Sequence, residues 1–314
     1  MNLENNSKIK KNLFFRDDLI IVFLSLPLYA AAIGSYGWRV GIILLMSILI
    51  GSVIEISSFK LNRKPIDYLG IAAWFILPLV FPPDFPIWMI AVSIFFGILI
   101  GVVFFGGHGR EIASPVAIGW AFGILSFARE YEMGWVFPFS DFKTGLLNFS
   151  ASVPTIDHTI TYLKEHTVSL GEILTGHFPQ VLGNSIPIVL LVCGIIVLLL
   201  RAVDAKTSLS FIITVIVLTF ISVQIDPKLS KFIDALFVGN LFFAAFFILP
   251  VRQTSGRACK GKIITGIICG AVAFMIRTFS SFPDGVLFAV LFANVFTALI
   301  DELVLGCKYK KVKQ

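Results

Sequence analysis

This sequence has few charged residues and few cysteines for its length. Only 14% of the 314 residues are Asp, Glu, Lys or Arg, whereas 57% are hydrophobic and the mean hydropathy is +0.92. A soluble globular domain carries about 25% charged residues. The four cysteines form no CxxC pair, so neither a disulfide framework nor a self-contained iron–sulfur motif is indicated. This composition predicts an all-α polytopic membrane protein surrounded by lipid.

The sequence also lacks the common motifs of soluble enzymes. No nucleophile elbow, Walker loop or HExxH motif is present. His158, His166 and His177 are too widely spaced for a common metal-ligand set, so we predict no metal site. The excess of 25 Lys and Arg over 19 Asp and Glu is explained by cytoplasmic loops rather than by nucleic-acid binding.

Long apolar runs predict ten membrane spans. A spanning helix needs about twenty mostly apolar residues. On that rule the spans are 18–36, 39–57, 67–83, 86–105, 112–128, 184–201, 207–224, 232–250, 262–278 and 284–302. They divide the chain into a cytoplasmic segment 1–17, a five-helix half 18–128, a polar loop 129–183, a second five-helix half 184–302 and a basic tail 303–314.

The distribution of basic residues predicts the orientation of these spans. With the N-terminus inside, 18 of the 25 Lys and Arg fall on cytoplasmic segments or span edges. We therefore expect both termini in the cytoplasm and the loop 129–183 outside, in a plasma or inner membrane.

The two predicted halves share a short sequence. Residues 72–78 (AAWFILP) and 244–250 (AAFFILP) are identical at six of seven positions and fall in the third span of each half. An odd number of spans per half makes the halves inverted, and inverted repeats place ligand sites near the middle of the membrane.

Two stretches carry candidate cofactor contacts. Gly106, Gly107 and Gly109 lie between the fourth and fifth spans, where they allow either a tight turn or close approach to a phosphate or flavin ring. Asn240 and Asn294 lie within apolar spans, where an amide needs a hydrogen-bond partner on another helix or a ligand.

These stretches together resemble one family, the NqrB/RnfD family. It comprises the flavin-bearing membrane subunit shared by Rnf electron-transport complexes and the sodium-pumping NADH:quinone oxidoreductase. The resemblance is carried by Phe282–Asp301, by Gly261–Gly266, by Phe105–Gly109 followed by Ser114-Pro115, and by Leu77-Pro78 through Trp88.

The resemblance implies two inverted five-helix halves and electron transfer through flavin coupled to Na⁺ or H⁺ movement. FMN is attached in that family to the Thr of an Asp-x-x-Ser/Thr-x-Ala-Thr motif, which places the attachment on Thr155 and the preceding Ser/Thr on Ser152. Phe149 and Pro154 stand where the motif has Asp and Ala. The flavin is therefore covalent FMN at Thr155, or FMN or riboflavin bound without a covalent bond near the glycine loop and Asn294.

Three functions remain open from the sequence. The first is a flavin-carrying or formerly flavin-carrying subunit of an Rnf-like redox complex, not a stand-alone enzyme. Its partners would be other subunits and, through them, quinone or a ferredoxin- or NADH-linked redox partner. The second is a flavin-free ten-helix transporter or channel. The third is a structural subunit that docks redox partners.

Overall fold

The fold is described from a computed structural model of the chain. The structure describes residues 2–61, 70–138, 155–156, 168–225, 236–280 and 284–312. For residues 2–12, 61, 155–156 and 305–312 it describes the backbone but not the side chains. The α-helices are α1 Asn2–Tyr36, α2 Arg39–Leu61, α3 Ile71–Ile76, α4 Ile87–Ile98, α5 Pro115–Ser126, α6 Ala128–Met133, α7 Leu170–Leu174, α8 Pro187–Leu199, α9 Ala205–Ile225, α10 Leu241–Phe243, α11 Cys259–Phe279 and α12 Val286–Val312.

Shorter elements complete the described chain. Two 3₁₀ segments cover Leu77–Val80 and Leu182–Asn184, and two π-helical segments cover Leu99–Val103 and Ala244–Ile248. Strands β1 (Trp135–Val136) and β2 (Thr155–Ile156) form an antiparallel pair.

Five helices are long and apolar enough to cross a membrane: Leu13–Tyr36, Arg39–Lys60, Ala205–Ile225, Cys259–Phe279 and Val286–Val304. Four shorter apolar helical stretches accompany them, at Ile71–Val80, Ile87–Val103, Pro115–Ser126 and Pro187–Leu199. The prediction of a mostly helical membrane protein is therefore confirmed. The number of ten spans, their inversion, the side of each terminus and the domain limits stay predictions.

The third and eighth predicted spans, like the π-helical end of the fourth, are irregular rather than continuous α-helices. In the third, α3 ends at Ile76 and a 3₁₀ segment containing Pro78 follows, because proline supplies no backbone N–H for an α-helical bond. In the eighth, α10 is three residues long and becomes π-helical at Ala244. The two similar heptapeptides both lie in these irregular, buried segments.

Prolines fix the starts of two further helices. Pro115 and Pro187 are the first residues of α5 and α8. A proline is well placed there, because its φ suits a helix and its missing N–H would have no partner in the first turn. The predicted spans 112–128 and 184–201 therefore begin three residues later in the structure.

Close helix packing forms the core. Helix α4 packs along α5, and α11 packs between α9 and α12. At the first contact a Cβ added to Gly97 would lie 2.8 Å from the Cα of Gly119. Glycine thus lets these two backbones approach, and the fully buried side chains include Trp120, Trp135 and Phe247.

Candidate functional site

An open cavity of about 710 Å³ lies beside the second half of α12. Its walls come from the loop that leads into α5, the loop 251–257 and α12. The lining residues are Glu111, Ile112, Gln253, Thr254, Ser255, Arg257, Asn294, Thr297, Ala298, Asp301 and Glu302. Small-molecule sites commonly enclose about 300–1,000 Å³, so the volume suits a cofactor of moderate size.

Asn294 supplies the cavity with a polar group that has no protein partner in the described chain. The residue is 3% exposed, and its side-chain Nδ2 is buried without a hydrogen-bond acceptor. A buried amide donor left unsatisfied costs about 1–3 kcal/mol, so a ligand acceptor at this position would be stabilising. Asp301 is already engaged, because it accepts from the backbone N–H groups of Arg257 at 2.5 Å and Ala258 at 3.1 Å.

The predicted glycine loop forms a tight turn at the end of a π-helical segment. Gly106, Gly107 and Gly109 have φ values of +92°, +105° and +82°, which residues with side chains rarely adopt. Gly106 donates to the carbonyl of Val103 and Gly107 to that of Val102, both at 3.0 Å. Backbone geometry therefore accounts for these glycines without a ligand.

His108 in this loop is held between two carboxylates. Its Nδ1 lies 2.5 Å from Glu111 Oε1, and its Nε2 lies 3.1 Å from Asp18 Oδ2. The Gln253 amide donates to Asp18 Oδ1 at 3.1 Å and lies 3.0 Å from His108 Nε2. This cluster joins α1, the glycine loop and the loop 251–257 in one buried network.

The carboxylates determine the charge of this imidazole. Burial of the ring disfavours its charged form, but Glu111 and the hydrogen bonds to Asp18 and Glu111 outweigh burial. The pKa of His108 is therefore raised well above its ordinary value of 6.5. His108 is an imidazolium at neutral pH.

A second buried network lies at the other end of α12. Asp284 accepts from the backbone N–H and side chain of Asn240, both at 2.8 Å, and from the Tyr131 hydroxyl at 3.0 Å. Asn240 also donates to the carbonyl of Val80 at 3.1 Å. Asn240 therefore contacts other helices, which is the interhelical role considered for it above.

Arg277 completes this second network. It donates to the carbonyl of Val238 at 3.0 Å. Arg277 is 6% exposed and Asp284 is 1% exposed, so both side chains lie inside the protein. Arg277 and Asp284 therefore both belong to the buried polar region around Asn240.

The covalent-attachment candidate lies at this end of the molecule. Thr155 pairs with Val136 in the β1–β2 ladder, and the ring of neighbouring Trp135 contacts that of Tyr131 at a centroid distance of 6.1 Å. Ser152, together with Phe149, Pro154, His158 and His166, lies outside the described residues. Val286 and Asp301 are fifteen residues apart on α12, so these two residues are separated by about 22 Å.

The predicted site residues do not form one site. Gly106 and Gly107 line a cavity of about 20 Å³ next to His108, whereas Asn294 lines the cavity of about 710 Å³. Glu111 connects the two regions, because it contacts His108 and lines the larger cavity.

Sequence reasoning passed over the carboxylates around His108. Glu55 lies within an apolar span, and Asp18 stands at the start of another. An ionisable residue at such a position is itself a functional signal that could have identified both.

Comparison with known proteins agrees with the resemblance. A model of the NQR2, RnfD, RnfE family matches residues 9–310. The chain belongs to this family. Similar curated proteins are subunits of the ion-translocating oxidoreductase complex from Actinobacillus succinogenes, at 25% identity, and from Haemophilus influenzae and Buchnera aphidicola, at 26%. The first two alignments cover 90% of both chains, and the third covers 90% of this chain and 91% of its relative.

Family membership confirms the resemblance across nearly the whole chain. The glycine loop, the loop 251–257 and most of α12 all lie within the residues that match the family. The cavity is built from residues at the end of the glycine loop and from the other two segments.

Proposed function

We propose that this chain is the membrane subunit of an ion-translocating oxidoreductase complex and passes electrons through a flavin in the cavity beside Asn294. Membership of the family and relatives named as subunits of such a complex support the first part. The unsatisfied Asn294 amide in a cavity of suitable volume is the observation that supports the second.

The cavity offers donors of the kind that a flavin needs. A flavin ring carries carbonyl oxygens and ring nitrogens that accept hydrogen bonds. The Asn294 amide has a free donor for such an acceptor, and Thr254 and Ser255 add hydroxyls on the facing loop. The flavin ring would supply the electron-transfer chemistry when bound.

The charge of the cavity favours a flavin without a phosphate group. Glu111, Asp301 and Glu302 line it, and Arg257 is the one basic residue among the lining residues that the structure describes. A phosphate would face this acidic excess, whereas the neutral ribityl chain of riboflavin would not. Riboflavin therefore suits the cavity better than FMN.

FMN attached at Thr155 would form a second redox group. Thr155 lies near the Tyr131 end of the molecule, and along α12 the distance from Val286 at that end to Asp301 in the cavity wall is about 22 Å. Two flavins at these two places would give electrons a route across much of the membrane.

The wider arrangement follows the sequence predictions. Five long apolar helices and four shorter apolar stretches support a polytopic arrangement, and the number of ten spans stays a prediction. We place the chain in the plasma or inner membrane with both termini in the cytoplasm. Movement of Na⁺ or H⁺ would be coupled to electrons exchanged, through other subunits, with quinone or with a ferredoxin- or NADH-linked redox partner. The flavin-free transporter is not favoured, because the similar proteins are named as oxidoreductase subunits.

Flavin content of the purified complex tests the cavity. Asn294→Ala removes the buried donor, and Val295→Ala, on the lipid-exposed side of the same helix at 61% exposure, is the matched control. We expect Asn294→Ala to weaken binding of the non-covalent flavin roughly tenfold to hundredfold, as loss of a buried hydrogen bond does. Extraction under denaturing conditions followed by absorbance gives the flavin content.

A denaturing gel under ultraviolet light tests the attachment separately. A fluorescent band that Thr155→Ala abolishes would establish covalent flavin. A colourless wild-type complex from cells that contain a flavin transferase would refute both flavin sites and favour transport.

A further inference from the structure

Three buried carboxylates surround the imidazole of His108. Asp18 and Glu55 are each 2% exposed and Glu111 is 7% exposed. Arg252 does not balance them, because it pairs with Asp17 at 2.7 Å. In the described part of the chain, His108 is the cation in contact with Asp18 and Glu111.

Such an excess of negative charge is costly for a purely structural cluster. Removing a carboxylate from water costs several kcal/mol, and one imidazolium cannot neutralise three carboxylates. Glu55 is partly stabilised, because it accepts from Gly70 N–H and from the Trp74 indole, both at 2.9 Å. The remaining excess of negative charge becomes smaller if the cluster takes up a further proton.

Small cavities lie on both sides of the ring. One of about 20 Å³ is lined by Glu55, Gly106, Gly107 and His108, and one of about 30 Å³ by residues that include Asp18, His108 and Glu111. Each has room for about one water molecule. Gly106 is exposed, so the first cavity adjoins the protein surface.

The second cavity leads towards the proposed flavin site. It shares Glu111, Gln253 and Thr254 with the cavity of about 710 Å³. His108 therefore lies between the surface at Gly106 and the large cavity, with Glu111 as the connecting group.

We propose that His108 and Glu111 form a proton relay from the surface at Gly106 and Gly107 to the cavity beside Asn294. This inference rests on the proposed function, since the acceptor of the proton is the redox group in that cavity. Asp18 is a positioning residue that holds Nε2 and directs Nδ1 towards Glu111.

Each proton that leaves one atom of the relay is accepted by the next. Electrons supplied by the oxidoreductase complex add negative charge in the cavity. The N–H bond at His108 Nδ1 breaks and an O–H bond forms at Glu111 Oε1, over 2.5 Å. The proton then leaves Glu111 for the reduced group, which restores the carboxylate. Neutral His108 is reprotonated by a hydronium ion that enters from bulk solvent through the adjoining cavity, which leaves a water molecule behind. One proton thus accompanies one electron.

The relay operates among several other charges. These charged groups lie near the ring of His108 and come from four segments. They are Asp17 and Asp18 on α1, Glu55 on α2, Arg110 and Glu111 in the glycine loop, and Arg252 in the loop 251–257. The raised pKa of His108 keeps the donor charged between turnovers. Glu111 is the group that both touches the donor and lines the acceptor's cavity.

Proton uptake during flavin reduction tests the relay. The purified complex is reduced photochemically in weak buffer with a pH indicator, while flavin absorbance is followed in the same sample. His108→Gln and Glu111→Gln remove the transferable proton and keep hydrogen-bonding groups. His177→Gln, a histidine exposed beside Thr175, is the control.

We expect proton uptake per bound flavin to be slowed roughly 100-fold in both relay variants, which is the scale of general acid–base effects. Flavin content is measured in the same samples, because Glu111 also lines the proposed flavin cavity. His177→Gln should match the wild type. In His108→Ala, added imidazole should restore fast uptake, an effect that repair of a merely structural contact would not produce.

The outcomes separate the two proposals. Unchanged proton uptake in both relay variants at full flavin content overturns the relay and leaves the flavin site intact. Loss of flavin from His108→Gln assigns this residue to cofactor binding and also overturns the relay. Flavin content that is insensitive to Asn294→Ala refutes the cavity as the flavin site, and the relay then has no acceptor there.

Discussion

At the scale of the residue, the charge of His108 makes the stability of the protein depend on pH. Its pKa is raised in the folded protein, whereas an unfolded histidine loses its proton near pH ~6.5. The stabilisation is complete below that pH and is lost as the pH rises through the folded pKa.

We expect His108→Gln to lower the free energy of unfolding by on the order of 3 kcal/mol at pH 6, because it leaves buried carboxylates without their cation. The difference from the wild type should shrink steadily towards pH 10. Thermal unfolding in detergent across that range measures it, with His177→Gln as the control. A difference that is constant with pH would contradict an ionised His108.

Individual residues also show how much of the candidate site could be predicted from the sequence. Asn294 was identified because an amide in an apolar span is conspicuous, and it does line the cavity of about 710 Å³. The contact of Gln253 with Asp18 joins residues 235 positions apart, and nothing in the local pattern of either residue indicates it. The candidate site could therefore be named in part but not assembled.

At the scale of the element, glycines control how closely helices approach. Gly97 in α4 faces Gly119 and the carbonyl of Pro115, so a Cβ there would lie 2.8 Å from backbone atoms. Gly41 in α2 has no atom within 4 Å of the same added carbon. Gly97 and Gly41 are both helical glycines, but only at Gly97 would an added Cβ meet backbone atoms, so Gly41 is the control position for Gly97.

Gly97→Ala should destabilise the protein by about 1–3 kcal/mol, because backbone cannot move aside as a side chain can. Gly41→Ala should stabilise it by up to about 1 kcal/mol through helix propensity. Unfolding in detergent of both variants tests the contrast. Equal effects at the two positions would show that α4 and α5 are not in backbone contact.

Element types could be predicted, whereas their irregularities could not. Apolar length identified the helices because lipid requires internally bonded backbone. The 3₁₀ segment at Leu77–Val80 has a local cause in Pro78, but the π-helical segment Ala244–Ile248 has the same apolar composition as a regular helix. Tertiary packing determines such a segment, and a single sequence does not display it.

At the scale of the whole molecule, Asp284 connects segments from both predicted halves. It accepts from Tyr131, which lies just after the first half, and from Asn240 in the second, while Asn240 reaches back to the carbonyl of Val80. Loss of this carboxylate would leave three buried donors without their acceptor: the Tyr131 hydroxyl, the Asn240 backbone N–H and the Asn240 side-chain amide.

Asp284→Ala should therefore lower the free energy of unfolding by about 3–5 kcal/mol. Asp204→Ala is a suitable control, since Asp204 pairs with Lys262 at 2.6 Å near the surface and should cost about 1 kcal/mol. Chemical or thermal unfolding of the two variants compares them. Similar losses would mean that the Asp284 network contributes no more than a surface pair.

The Asp284 network also has a consequence for synthesis of the chain. Tyr131 is made 153 residues before its acceptor Asp284. At about 5–20 residues per second, the first half waits roughly 8 to 30 s before that partner is made. During this interval the Tyr131 hydroxyl already accepts from the Trp120 indole at 3.1 Å. Its own proton and the Val80 carbonyl depend on temporary partners, such as water or the insertion machinery. Assembly is completed only when the last helix arrives.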